Sequence, residues 1–177
     1  MVNLKAPRWV FCSILLAVLL RCLHDFTLLP DRVASHFGAS GAANGWMTKS
    51  QFLFTYLLVL APALAVEFWL PRRIAKTGAN RLRLPNKEYW LAPERRSETF
   101  AYFEKFFAWY GCALLALEVF AMGLAMRANL KNPPQLPTAP IVSAILVFVL
   151  FNVLAVIAMF LRFSKPGYKL RVSGPRT

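Results

Sequence analysis

The chain has 177 residues, of which 58% are hydrophobic and only 16% are charged, and its net charge is +13. Soluble domains carry about a quarter charged residues, so this composition excludes an ordinary soluble protein and indicates an integral membrane protein. Nucleic-acid binding is not the preferred explanation of the basic excess, because membrane topology and anionic lipid headgroups account for the same residues.

Four apolar runs are each close to the ~20 residues that cross a hydrocarbon core as a helix. Lipid offers no hydrogen-bond partners to the backbone, so runs of this length must be helical. The predicted fold is therefore all-α: a single polytopic membrane domain covering residues 1–177. Its predicted spans are residues 9–29, 52–70, 106–126 and 141–161.

Lysine and arginine alternate from one side of these spans to the other. They are dense in the connection 71–105 and the tail 162–177, and sparse in the connections 30–51 and 127–140. The positive-inside rule then predicts that both termini are cytoplasmic and that the two sparse connections are outer loops. We expect a multi-pass protein of the bacterial inner membrane. Its expected partners are the bilayer, with anionic headgroups at the basic face, and other membrane proteins, but not nucleic acid.

Few polar or ionisable side chains fall inside the spans, where lipid makes them costly. Arg21, His24 and Asp25 lie in the outer part of the first span, Glu118 in the third and Asn152 in the fourth. Arg21 and Asp25 share a helix face, and Arg21 and Glu118 lie at similar depth. We therefore expect an Arg21–Glu118 or Arg21–Asp25–Glu118 network that ties the bundle together, with transport or proton relay as the alternative. Asn152 is expected to bond between helices.

The connection between the second and third spans is expected to lie at the membrane surface. Glu67, near the end of the second span, is expected to pair with Arg72 or Arg73. Pro93 suits the first turn of a helix, so an interfacial helix should begin there and continue into the third span. An aromatic belt that anchors this region in lipid is predicted from Tyr89, Trp90, Tyr102 and Trp109.

The first outer loop holds Gly38, Gly41 and Gly45, which are expected to serve turns with positive backbone angles. Asn44 and Gly45 together form a strong turn dipeptide. Trp46 is expected to lie at the headgroup level.

His36 has two interpretations. It lies within thirteen residues of another histidine and two aspartates, which could in principle bind a metal. Their spacing matches no zinc signature, so we predict no metal and expect His36 to hydrogen-bond the loop to the helix ends.

The outer loop also carries a longer pattern, Leu29-Pro-Asp-Arg-Val33 followed by His36-Phe-Gly38, Gly41, Asn44-Gly-Trp46 and Lys49. It resembles the signature of a bacterial membrane family known as domain of unknown function 1648, which is also found in SdpI-type immunity proteins. The later segment Pro85–Arg96 resembles one seen in members of the same family. If the protein senses or neutralises something at the outer face, we expect this loop to make the ligand or partner contact, through His36, Phe37, Gly41, Asn44, Trp46 and Lys49. The residues of this second, cytoplasmic motif are Pro85, Asn86, Tyr89, Trp90, Pro93, Arg95 and Arg96.

Three functions remain open. The preferred one is a non-catalytic membrane protein that senses or neutralises something at the outer face, in the manner of immunity proteins. The alternatives are an accessory subunit of a larger membrane complex and a small transporter or ion pathway. The chain has no HExxH motif, no facing aspartate pair and no glycine-rich phosphate loop, so we expect neither catalysis nor a cofactor.

Overall fold

The computed structural model describes residues 5–77 and 82–164. Within them, four helices are long and apolar enough to cross a membrane: Lys5–Leu28, Lys49–Lys76, Pro93–Asn129 and Thr138–Ser164. The prediction of four membrane-spanning helices is thus confirmed, and the chain is a multi-pass membrane protein. Arg81 of the basic connection 71–105 and the basic residues of the tail beyond Ser164 lie outside the described residues.

The first and last spans are the uninterrupted helices α1 (Lys5–Leu28) and α7 (Thr138–Ser164). The third is α6 (Pro93–Asn129), a single helix of 37 residues with Pro93 in its first turn. At 1.5 Å per residue α6 is about 55 Å long, well beyond the ~30 Å of a hydrocarbon core. The prediction of a helix that begins at Pro93 and continues into the third span is confirmed.

The second span is broken into pieces. It consists of α2 (Lys49–Val59), α3 (Ala61–Leu64), a π-helical turn (Ala65–Trp69) and α4 (Leu70–Lys76). Two prolines explain the breaks, because a proline removes one backbone donor and its ring clashes with the carbonyl four residues earlier. Pro62 follows the interruption at Leu60, and Pro71 follows the π turn, whose wider winding relieves the clash.

The connection between the first two spans is a β-hairpin and not the turn-rich loop expected from its glycines. Strands β1 (Arg32–Phe37) and β2 (Ala43–Thr48) pair antiparallel, with an irregular register near His36. The Thr48 side chain then caps α2 in a reciprocal arrangement with Gln51, which fixes where the sheet ends and the second span begins. The end of the bundle that carries these strands is called the hairpin end below.

The core lies among α1, the second span and α6. Its most deeply buried large side chains include Phe11, Tyr56, Leu115 and Met126, and Val33 of β1 joins them at the hairpin end. The last span is peripheral, since Phe163 is the one buried residue of α7. Phe163 belongs to a second cluster, with Trp90 and Phe103, at the opposite end of the bundle. The short helix α5 (Lys87–Trp90) supplies that tryptophan.

Candidate functional site

Side-chain hydrogen bonds fasten the hairpin to α6 and to the connection between α6 and α7. Buried Asn129, at the end of α6, accepts from the backbone N–H of Ala34 at 2.6 Å and donates to the carbonyl of Ala34 at 3.0 Å. Gln135 donates to the carbonyl of Ser40 at 2.8 Å. Lys49 Nζ donates to the carbonyl of Leu29 at 2.9 Å. The hairpin is therefore held at its first strand and its turn, the Lys49–Leu29 bond joins the two segments that flank it, and it forms a fixed platform.

The outward face of this platform carries two polar–aromatic pairs. The ring nitrogen Nδ1 of exposed His36 is hydrogen-bonded to Oδ1 of Asn44. The guanidinium of Arg32 lies 5.2 Å from the ring centre of Trp46, and the indole is 43% exposed. The expectation that His36 bonds to the helix ends is wrong, because its partner is on the neighbouring strand.

The glycines serve a different geometry from the one expected. Among the described glycines, Gly41 alone has a positive φ, of 80°, and it lies in the turn, where its carbonyl accepts from the N–H of Leu136. Asn44 and Gly45 lie within β2 and form no turn. A Cβ at Gly45 would lie 2.9 Å from the Cβ of His36. Gly45 therefore permits close approach of the strands at His36, and half-buried Phe37 ends the first strand.

The intramembrane network is smaller than expected. Both carboxylate oxygens of buried Asp25 accept from Nε of Arg21 at 2.8 Å. Glu118 takes no part: its Oε2 is buried without a hydrogen-bond partner, and its carboxyl lies within reach of the Ala63 backbone in the second span. The expected Arg21–Glu118 link is therefore wrong, because equal depth does not place two side chains on facing sides of their helices. Exposed His24 adds no bond to the Arg21–Asp25 pair in the described chain.

Glu67 is also placed differently from the expectation. It is 3% exposed, and both its carboxyl oxygens lack a partner. The π turn directs it inward against Gly111 of α6. Arg72 instead donates to the carbonyl of Phe68 at 2.6 Å, and Arg73 lies over the ring of Trp69. The expected pairing of Glu67 with these arginines is wrong.

Asn152 joins the third and fourth spans, as predicted. The Tyr110 hydroxyl donates to Asn152 Oδ1 at 2.5 Å, and Asn152 Nδ2 donates to the carbonyl of Phe148 one turn earlier at 2.6 Å. The polar side chain is thus satisfied within the protein, which makes it part of the packing between α6 and α7.

The segment Pro85–Arg96 closes the opposite end of the bundle. Asn86, with a left-handed φ of 50°, and the Trp90 indole both donate to the carbonyl of Phe163, at 3.0 and 2.9 Å. The last carbonyls of a helix have no partner within the helix, so these bonds satisfy the end of α7. Trp90 is 8% exposed; its predicted place in a lipid-facing belt is therefore wrong.

Cations stack on the aromatic rings of this segment. Arg95 lies 3.9 Å from the ring centre of Tyr89. Arg162 of α7 lies over both Trp90 and Tyr102 and forms an ion pair with Glu98 at 3.0 Å. Pro93 begins α6, Arg96 lies over the ring of Phe100, and Pro85 is half-buried ahead of α5. The segment therefore fastens α5, α6 and α7 together.

Sequence reasoning missed Asn129 and Tyr110, the side chains that make the most specific contacts between elements. Both are polar residues in or at the end of an apolar run, and that is the one signal the sequence offers for them. Within residues 5–77 and 82–164, no three histidine, cysteine, aspartate or glutamate side chains converge as a metal site would require.

Neither a curated protein nor a solved structure matches the chain. A family match covers the stretch that contains most of α1, the whole hairpin and the second span as far as the start of the π turn. The Asn129 clamp on β1 and the broken second span therefore lie in or against this stretch. Residues 11–65 match the family described as Domain of unknown function (DUF1648), so this part of the chain is similar to that family.

Proposed function

We propose that this protein is a non-catalytic binding protein of the bacterial inner membrane, and that its hairpin contacts an extracytoplasmic ligand in a sensing or immunity-like role. The observation that carries the proposal is the outward face formed by the His36–Asn44 pair and the Arg32–Trp46 pair. Tryptophan and arginine are enriched among the residues that dominate binding energy at interfaces. Here they are exposed on a platform that is already fixed in shape.

Preorganisation supports this assignment. A loop that must become ordered on binding loses affinity through conformational entropy. The hairpin is held instead by Asn129, Gln135 and Lys49, so ligand contact would not require it to fold. The sparse positive charge of the two connections at this end supports an extracytoplasmic orientation.

The orientation can be tested separately from the binding role. Ser40 is exposed in the hairpin turn and bonds through its backbone carbonyl. Ser40→Cys, in a background from which Cys12, Cys22 and Cys112 have been removed, should react with a membrane-impermeant maleimide in intact cells. Labelling only after the cells are opened would overturn the orientation.

The binding role is tested by complementation. Cells that lack the gene are grown in medium conditioned by the same species and then complemented with His36→Ala, Trp46→Ala or the control Ser40→Ala. The two face variants should fail to restore growth in this medium while their abundance in the membrane stays unchanged. The control Ser40→Ala should restore growth. Full complementation by both face variants, or loss that follows reduced abundance, would refute the proposal.

A second candidate, a proton or cation pathway, is supported by two glutamates, one buried and one half-buried, that each have at least one buried oxygen without a hydrogen-bond partner. These are Glu67, in the π turn, and Glu118, opposite Ala63. Interrupted spans and unpaired ionisable residues within membranes are typical of transport sites. In liposomes with a trapped pH-sensitive dye, Glu118→Gln should abolish any proton flux that the protein conducts. Flux that is equal in protein-free liposomes, or unchanged in the variant, removes this candidate.

A further inference from the structure

A cleft of about 270 Å³ opens on the flank of the bundle between α1, α2 and α6. Its polar lining consists of Arg21, Asp25, Tyr56 and Arg127, and helices alone provide its walls. The cleft is therefore separate from the outward face of the hairpin, and a ligand bound in it would contact different residues from a ligand bound to that face.

The two guanidinium groups of the cleft have donors to spare. Arg21 bonds to Asp25 through Nε alone, so its two terminal nitrogens keep their N–H groups. Neither these nitrogens nor the side chain of Arg127 meets an acceptor within residues 5–77 and 82–164. A guanidinium has five donors in a fixed fork that matches phosphate and carboxylate oxygens. The cleft thus presents guanidinium N–H groups of Arg21 and Arg127 that have no hydrogen-bond acceptor among the described residues.

The two arginines differ in their position along the bundle, and both side chains are exposed at the cleft. Arg127 is two residues from the end of α6, whereas Arg21 is seven residues from the end of α1, about 10 Å along the helix. A charged group at such a depth is expected to pair. Asp25 neutralises Arg21, but nothing in the lining offsets Arg127, so the side chains of the cleft carry a net charge of +1. The exposed guanidinium of Arg127 is therefore available to an anionic group at the end of the span.

The remaining walls are apolar. Val119, Phe120 and Leu124 line the cleft together with Gly123. A Cβ at Gly123 would meet no atom within 4 Å, so the missing side chain leaves room beside these walls. An apolar flank next to a cationic mouth fits a molecule with an anionic head and a hydrocarbon tail, because a guanidinium binds phosphate oxygens and the apolar wall can pack against the tail.

We propose that this cleft binds an anionic phospholipid. The phosphate oxygens accept from Arg127 and from the terminal nitrogens of Arg21. The upper part of an acyl chain lies along Phe120 and Leu124, beside Gly123.

The test uses the purified full chain in nanodiscs that contain equal amounts of phosphatidylglycerol and phosphatidylcholine. Native mass spectrometry counts the lipids that stay bound when the protein leaves the disc. The wild type should retain phosphatidylglycerol over phosphatidylcholine. Arg127→Gln, which leaves the Arg21–Asp25 pair intact, should lower this retention about tenfold, as expected for a lost charge-assisted hydrogen bond.

Two further variants separate the site from general attraction. Gly123→Leu fills the cleft without changing the charge and should also lower retention. If it folds poorly by circular dichroism, Gly123→Ala provides a smaller filling with a smaller effect. Arg32→Gln removes the same charge from the hairpin and should retain phosphatidylglycerol like the wild type.

Equal retention in all variants would overturn the proposal. So would an equal loss in Arg127→Gln and Arg32→Gln, because general charge attraction would then explain the binding. Millimolar inorganic phosphate added to the wild type should not displace the lipid. Displacement would show that the cleft binds the free anion and would overturn the assignment to a lipid.

Discussion

Two glycines of the same helix should respond in opposite ways to the same substitution. Gly111 and Gly123 both lie within α6. A Cβ at Gly111 would lie 2.9 Å from Oε2, 3.2 Å from Cβ and 3.4 Å from Cα of Glu67, whereas a Cβ at Gly123 would meet nothing within 4 Å. The carboxyl of Glu67 is the end of a flexible side chain, but it is buried, and the backbone of the π turn stands directly behind it.

The expected free energies follow from these distances. Replacing glycine by alanine inside a helix stabilises it by about 0.5–1 kcal/mol, and this contribution is common to both positions. Overpacking a buried contact lowers the free energy of unfolding by about 1–3 kcal/mol. Of the two positions, this penalty applies at Gly111 alone. Gly123→Ala should therefore leave stability unchanged or slightly raised, and Gly111→Ala should be less stable than Gly123→Ala by about 1–3 kcal/mol.

The measurement is unfolding in mixed micelles with increasing dodecyl sulfate, followed by far-UV circular dichroism. The double variant Gly111→Ala with Glu67→Ala should recover part of the loss, because it removes the contact at 2.9 Å and leaves the one at 3.2 Å. If Gly111→Ala proves as stable as Gly123→Ala, the close packing of the π turn on α6 is refuted.

Three further changes probe the contacts between elements. Asn129→Ala leaves the buried N–H of Ala34 unpaired and should lower the free energy of unfolding by about 1–3 kcal/mol in the same titration; an unchanged midpoint would contradict the clamp. Trp90→Phe keeps an aromatic ring but loses the indole N–H, so it should lower the free energy of unfolding by about 1 kcal/mol and speed hydrogen exchange at the end of α7. Unaltered exchange there would show that the Trp90–Phe163 bond does not hold that end. Asn152→Ala should cost about 0.6 kcal/mol, the usual worth of a hydrogen bond between membrane helices, and adding Tyr110→Phe should cost little more; fully additive losses would argue against their bond.

The spans could be predicted from the sequence because lipid imposes length and apolarity on any segment that crosses it. The start of α6 could also be predicted, since Pro93 favours the first turn of a helix and disfavours any later position. These predictions depend on local chemistry alone, and the structure confirms them.

The hairpin could not be predicted in the same way. Its strands lack the regular alternation that marks a half-buried strand, and Asn44-Gly45 suggests a turn where the structure has a strand. The bonds that fix β1 come from Asn129, 95 residues away along the chain. A single sequence does not reveal a partner at that distance.

The two glutamates illustrate a different limit. Depth along a helix can be counted from the sequence, but the face that a residue occupies depends on every turn before it. The π turn at Ala65–Trp69 adds a residue to the winding and so rotates the rest of the span by about 100°. Glu67 therefore faces Gly111, not the arginines that come after it in sequence.

The length of α6 has a mechanical consequence. The helix runs without a break from Thr99, whose hydroxyl donates to the carbonyl of Trp90, to Asn129, which clamps β1. After Pro93 the helix contains no proline, and its two glycines, Gly111 and Gly123, are far apart in the sequence. It therefore contains none of the usual causes of a kink. We therefore expect that a tilt of the hairpin would be transmitted along α6 to the cluster of Trp90, Phe103 and Phe163 at the opposite end of the bundle.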